Sequence, residues 1–241
     1  TFQQVGSLLT DFIKPNRLVI NFYLPKRNDQ IAIDFCNKEL MRIIKILEGF
    51  TGKSFDPVRL RNEIQKERRL NNVMLRLFEK RENLEFSDSD FYRLIFGRTY
   101  ISIEEYTEIV EKIVENSGLI KKQDKKRIFI SGITPEPLSL LDVINKNNAS
   151  IAFDDLALSE RRIFEIDDLP EDPLTAQSLL ILKTMPDAIK GSPIEMRAKK
   201  IIEKAKRFHT NGGIFYIMKF CEVEYFDYPQ MRNYLMKRGI K

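Results

Sequence analysis

One histidine and two cysteines in 241 residues leave little from which a protein metal centre is ordinarily built. Cys36 and Cys221 lie in unlike contexts, so they do not make a disulfide framework, and a reducing compartment fits them. Neither has a second cysteine or a histidine at metal-ligand spacing. His209 stands alone at a helix end, where its natural partners are the last-turn carbonyls. The glycine patterns that cradle phosphates or dinucleotides are missing, as is the G-x-S-x-G nucleophile elbow. Also absent is any apolar run near the roughly 18 residues that a membrane helix needs. The longest, Leu18 to Leu24 and Ile214 to Met218, are strand-sized. Thr1-Phe2-Gln3-Gln4 has no basic flank leading into an apolar stretch, so a signal peptide is not expected. A cytoplasmic protein with no membrane partner is the default.

What is present is a chain long enough for two domains, 43% hydrophobic, with 40 basic and 35 acidic residues interspersed throughout. A net charge of +5 spread in this way does not favour nucleic acid; a phosphate-bearing small molecule or an acidic protein partner suits it better. Val5, Leu8, Leu9, Phe12 and Ile13 mark one face of a helix ending at Lys14-Pro15, and Leu18 to Leu24 reads as a strand stopped by Pro25. A helical block follows. Ile33, Cys36, Leu40, Ile43, Ile44 and Leu47 form a stripe over residues 31–50. Asp56-Pro57 opens a helix running to about Glu82, and Ser87 and Ser102 each cap another.

Beyond the charged linker Lys121 to Lys126 the pattern changes. Arg127 to Gly132 reads as a strand, Pro137 opens a helix through Ile144, and Ala149 to Phe153 reads as a second strand ending at Asp154-Asp155. That spacing makes a parallel strand-helix-strand unit. Helices over about 174–183 and 194–208 lead to a buried strand over 213–218, then to a helix opened by Asp227-Tyr228-Pro229 and a further strand beginning at Gly239. Three strand ends then point the same way, namely Ser131-Gly132, Asp154-Asp155 and Phe220-Cys221-Glu222. The carboxyl edge of a parallel sheet is where such folds place ligands. Gly132 allows close backbone approach, Asp154 and Asp155 can accept hydrogen bonds, and Cys221 is either a small buried apolar residue or a thiolate ligand.

Together these segments resemble the 2-hydroxyacyl-CoA dehydratase and benzoyl-CoA reductase family. Gly212-Gly213-Ile214 through Phe220-Cys221, followed by Glu224 and Pro229, is similar to its D-G-V-I … F-C … E-x-P segment. Ile130-Ser131-Gly132, the Ala152-Phe153-Asp154-Asp155-Leu156 run with Arg161, Asp172-Pro173-Leu174 with Arg197, and Leu47-Glu48-Gly49-Phe50-Thr51-Gly52 follow in family order. The resemblance implies an α/β fold: a flavodoxin-like or Rossmann-like parallel sheet domain over 127–241, preceded by an all-helical block over 26–126 and a remnant of a first α/β lobe over 1–25. It implies a 4Fe-4S cluster held by three cysteines, one of them Cys221, with Gly132, Asp154, Asp155, Arg161 and Glu222 as substrate-side candidates. The partners it implies are an acyl-CoA substrate, a second subunit and an ATP-dependent activator that injects one electron, so that a ketyl radical loses water or, in the reductase branch, an aromatic ring is reduced. The two other cluster cysteines are absent, so the chain is expected to be the C-terminal two-thirds of such a subunit and not to hold a cluster by itself. Ala157-Leu158-Ser159-Glu160 departs from the usual C-T-G-S. The alternative is a cluster-free relative that binds a small ligand or serves in assembly.

Overall fold

The computed structural model describes residues 18–27, 29–118, 125–166, 168–183, 186–188, 191–210 and 212–241. The expected N-terminal helix and most of the charged linker lie outside these. The chain forms two compact units, one of residues 1–64 with 168–183 and the other of residues 65–167 with 184–241.

In the first unit, α1 (Gln30–Thr51) starts where the Asp29 carboxylate accepts the Ala32 amide and ends at Gly52, whose φ of 67° is the left-handed conformation a helix stop requires. Its inward face carries Ala32 and Cys36, both buried. It packs on α6 (Pro173–Leu182), and Asn37 joins the two by accepting from Ser178 Oγ at 2.6 Å and donating to Thr175 Oγ1 at 3.2 Å. Residues 18–24 are not a strand. An apolar run becomes a strand only beside another strand, and none lies within the described part of this unit.

Helix α2 (Pro57–Glu79) is capped as expected by Asp56, which accepts the Val58 and Arg59 amides. It stops three residues short of the expected end, and a 3-10 turn over Arg81–Asn83 follows. In the second unit α3 (Asp88–Gly97) and α4 (Ile103–Glu115) start at Ser87 and Ser102, each hydroxyl accepting an amide of the first turn. Three parallel strands, β1 (Lys126–Gly132), β2 (Ala149–Leu156) and β3 (Gly212–Tyr216), lie in the order β2-β1-β3, with α5 (Ser139–Lys146) between the first two in sequence. One sheet face packs Ile130, Ile151 and Leu156 against α2, α3, α4 and α5, through Leu77, Phe91, Val110 and Leu141 among others. The other packs Phe129, Ala152 and Phe153 against α7 (Ile194–Arg207) and α8 (Glu222–Met236), through Ile201, Ala205 and Met231. This is the α/β arrangement expected, a parallel sheet with helices on both faces.

Three boundaries differ from the sequence reading. Strand β2 continues through Asp154 and Asp155 to Leu156, because these residues pair with Ile130, Ser131 and Gly132 of β1. Strand β3 ends at Tyr216 and is half-buried along its length. Helix α8 begins at Glu222 and contains Pro229 in its interior. Its first backbone bond is already closed by Tyr225 N–H donating to the Cys221 carbonyl at 3.1 Å. No strand forms at 239–241, although Gly213 N–H donates to the Lys241 carbonyl at 2.9 Å.

Candidate functional site

A bulge in β2 decides what the two adjacent carboxylates do. Ile128 pairs with Ile151 and Phe129 with Phe153, so Ala152 is an extra residue and the alternation of side chains shifts there. Ala152 and Phe153 consequently both serve the α7/α8 face, after which Asp154 turns to the helical core and Asp155 to α7 and α8.

Asp154, 1% exposed, accepts from Tyr92 Oη at 2.9 Å, from Ser159 Oγ at 2.9 Å, and from the amides of Leu156 and Glu160. Tyr92 in turn accepts from Arg81, which bonds Asp88 at 2.9 Å. Burial raises the Tyr92 hydroxyl well above the ordinary phenol value, with nearby Arg81 opposing only part of this. Glu160 accepts the Asp154 amide and pairs with Lys204 at 2.5 Å. Burial lifts its carboxyl above the usual range, Lys204 pulls it down, and the Asp154 charge adds to the lift.

On the opposite face Asp155 receives Arg161 through Nε (2.8 Å) and Nη2 (2.9 Å), Arg197 through Nε (2.9 Å), and Ser131 Oγ (2.8 Å). Arg197 Nη2 also reaches Ser131 Oγ at 2.9 Å. Both guanidiniums continue to Glu224 in the first turn of α8, while Arg161 donates to Asp187 at 2.9 Å. The result is a closed ring, Asp155–Arg161–Glu224–Arg197, with two charges of each sign. Burial would raise the Asp155 carboxyl, but Arg161 and then Arg197 outweigh it and hold the group below the ordinary carboxylate range. A small cleft beside the ring is lined by Glu160, Arg197, Lys200 and Lys204 among others.

The structure places the remaining candidates at the carboxyl edge. Gly132 has a φ of 149°, and a Cβ there would lie 2.2 Å from the Tyr216 carbonyl oxygen, so close strand packing is what demands glycine. Cys221 is half-buried, three residues before Glu224 at the start of α8. Phe220, beside it, is 83% exposed with a φ of 69°. Glu222 is exposed in the first turn. Arg161, Asp154 and Asp155 spend their hydrogen bonds on the protein itself. Arg197 was visible to sequence reasoning only as part of a motif, and Tyr92, Arg81 and Asp187 were not visible at all.

Residues 4–241 match the family model for 2-hydroxyglutaryl-CoA dehydratase, D-component. The chain belongs to that family. Within it, the chain is 31% identical over 147 residues to the (R)-phenyllactyl-CoA dehydratase beta subunit of Clostridium sporogenes, covering 58% of this chain and 38% of that protein. It is 26% identical to the lactoyl-CoA dehydratase subunit beta of Anaerotignum propionicum, covering 60% and 40%. It is 29% identical to the (R)-2-hydroxyglutaryl-CoA dehydratase subunit beta of Acidaminococcus fermentans, covering 55% and 36%. The matched stretch thus spans about two-fifths of each curated relative.

A 4Fe-4S cluster takes four ligands, as a rule thiolates. This chain has two cysteines, of which Cys36 is wholly enclosed in the first unit, and among the described residues no group of three or more His, Cys, Asp or Glu is placed to hold a metal. The side chains described do not by themselves fit a cluster. No helix among them is long and apolar enough to cross a membrane.

Proposed function

We infer that this protein works as part of a 2-hydroxyacyl-CoA dehydratase subunit, in which a 2-hydroxyacyl thioester loses its hydroxyl and a neighbouring hydrogen as water. The family match over residues 4–241 carries this reading, because it includes every segment that forms the carboxyl edge of the sheet. The three relatives bear names of CoA-thioester dehydratase beta subunits, which supports the same reaction class and a partner subunit. The activator belongs to the same proposal. Cys221 brings a single cysteine sulfur to the sheet edge, just ahead of the first turn of α8. The surrounding residues hold that edge in place. Glu224 anchors the turn that carries Cys221, and the Asp155–Arg161–Glu224–Arg197 ring ties it to the ends of β1 and β2.

The test is turnover. The protein is produced without oxygen together with its partner subunit, supplied with reductant and an ATP-dependent activator, and given lactoyl-CoA, phenyllactyl-CoA and 2-hydroxyglutaryl-CoA. Enoyl-CoA detected by mass spectrometry, lost in Cys221→Ser, is the expected result. A folded, thioester-binding assembly that is iron-free and makes no enoyl-CoA from any of the three points instead to the cluster-free, ligand-binding or assembly role.

A further inference from the structure

The sheet order β2-β1-β3 creates a crevice whose position follows from connectivity alone. The connection leaving β1 runs through α5 on one face of the sheet, whereas α7 and α8, which precede and follow β3, pack on the other. Chains that depart to opposite faces from neighbouring strands leave a gap at their carboxyl ends, and open α/β sheets bind ligands in it. Here the gap is bordered by the loop after Gly132 and the loop from Ile217 to Cys221.

The first of these loops is tied down. Tyr216 Oη donates to the Glu136 carbonyl at 2.6 Å, and the Leu158 amide donates to the Ile133 carbonyl at 3.0 Å. Between the two tethers sits Thr134, only 5% exposed, and its hydroxyl finds no hydrogen-bond partner among the described residues. Leaving a buried hydroxyl unpaired costs on the order of 1–3 kcal/mol, so such groups are few and each calls for an explanation. Other buried hydroxyls near this edge are satisfied: Ser131 Oγ bonds Asp155 and Arg197, and Ser159 Oγ bonds Asp154. Thr134 differs from them in lying on the loop after β1 that borders this gap.

We propose that the Thr134 hydroxyl is kept unpaired for a bound ligand, donating a hydrogen bond to the acyl carbonyl oxygen of a CoA thioester lying between the ends of β1 and β3. The proposal rests on the dehydratase reading for the thioester. The vacancy of the hydroxyl is independent of it. In the unliganded protein the hydroxyl costs stability, and on binding that cost is recovered as affinity for the acyl group and not for CoA itself.

Thr134→Val keeps the shape and removes the hydroxyl, while Thr134→Ser keeps the hydroxyl. Melting temperatures are recorded without ligand, and affinities for lactoyl-CoA, phenyllactyl-CoA, 2-hydroxyglutaryl-CoA and free CoA are measured by calorimetry. The expected result is a Thr134→Val melting temperature about 2–4 °C above wild type, with acyl-CoA binding about five- to tenfold weaker, the size of one hydrogen bond. Free CoA binding should be unchanged, and Thr134→Ser should bind like wild type. A lower melting temperature in Thr134→Val would mean that the hydroxyl already has a partner, such as an internal water, and would overturn the proposal. So would equal loss of affinity for acyl-CoA and CoA, or no loss at all; in those cases wild-type thioester binding leaves the dehydratase reading standing. If no thioester binds wild type, both fall.

Discussion

Glu224 receives two arginines at once: Arg161 Nη1 lies 3.1 Å from its Oε1 and Arg197 Nη1 lies 2.9 Å from its Oε2, and the residue is 2% exposed. Removing one member of a buried ion pair leaves the remaining charge without compensation. Glu224→Ala is therefore expected to lose about 3–5 kcal/mol in urea unfolding, and Glu224→Gln less, because it keeps an acceptor. Alkylation of Cys221 by iodoacetamide should also speed up in both, since the first turn of α8 is then released. A loss below about 1 kcal/mol in Glu224→Ala would show that the ring does not hold this turn.

Gly132 and Gly213, two of the three glycines in the strands, differ in what surrounds them. A Cβ at Gly132 meets backbone, the Tyr216 carbonyl oxygen at 2.2 Å, and φ there is 149°; a Cβ at Gly213 meets the Phe129 ring at 2.2 Å, a side chain that can yield. Gly132→Ala is expected to cost about 2–6 kcal/mol, combining overpacking with a strained dihedral, and Gly213→Ala about 1–3 kcal/mol. Thermal unfolding of the two variants checks the order; a reversal would place the close contact on the wrong strand.

Glu160 gives a pH dependence of definite sign. Burial raises its folded-state value above the unfolded one, so the folded protein binds more protons between the two, and stability falls as pH rises through that window. Glu160→Gln removes the titration and retains an oxygen for the Asp154 amide. Unfolding free energies measured upward from about pH 4.3, the ordinary glutamate value, should decline more steeply in wild type than in the variant. Asp155 acts in the opposite sense. Its depressed value contributes stability that is present above the unfolded pKa and lost as pH falls through the folded one, so acid unfolding should begin with the ring.

Much of the fold was legible because its signals are local. Ser87, Ser102 and Asp56 cap helices through bonds to residues two or three positions on, and the strands read over 127–132 and 149–153 announce themselves as apolar runs at parallel-unit spacing. The carboxyl edge followed from those runs. What escaped was non-local. Arg197 meets Asp155 across 42 residues of chain and Arg161 meets Glu224 across 63, pairings that no spacing rule carries. Pro229 read as a helix opener, yet α8 starts earlier, with Glu222 and Glu224 suited to its positive end and Glu224 anchored by arginines. The run at 18–24 has strand composition but no ladder to join among the described residues of its unit. The unpaired state of Thr134 is a property of its surroundings and leaves no trace in its neighbours' identities.

The extra residue in β2 also bears on which length changes this strand can absorb. Without Ala152, Ile151 and Phe153 would follow each other along an uninterrupted ladder, and every residue from Phe153 to Leu156 would keep its present partner on β1 and its present face. Loss of that alanine would straighten the strand and leave a gap in the α7/α8 core, while Asp154 stayed with Tyr92 and Asp155 with Arg197. A residue added or removed between Phe153 and Leu156 has no such refuge: it would turn a buried carboxylate toward the wrong set of partners. Insertions and deletions in this stretch should therefore gather at one position, set by the sheet and not by the loops around it.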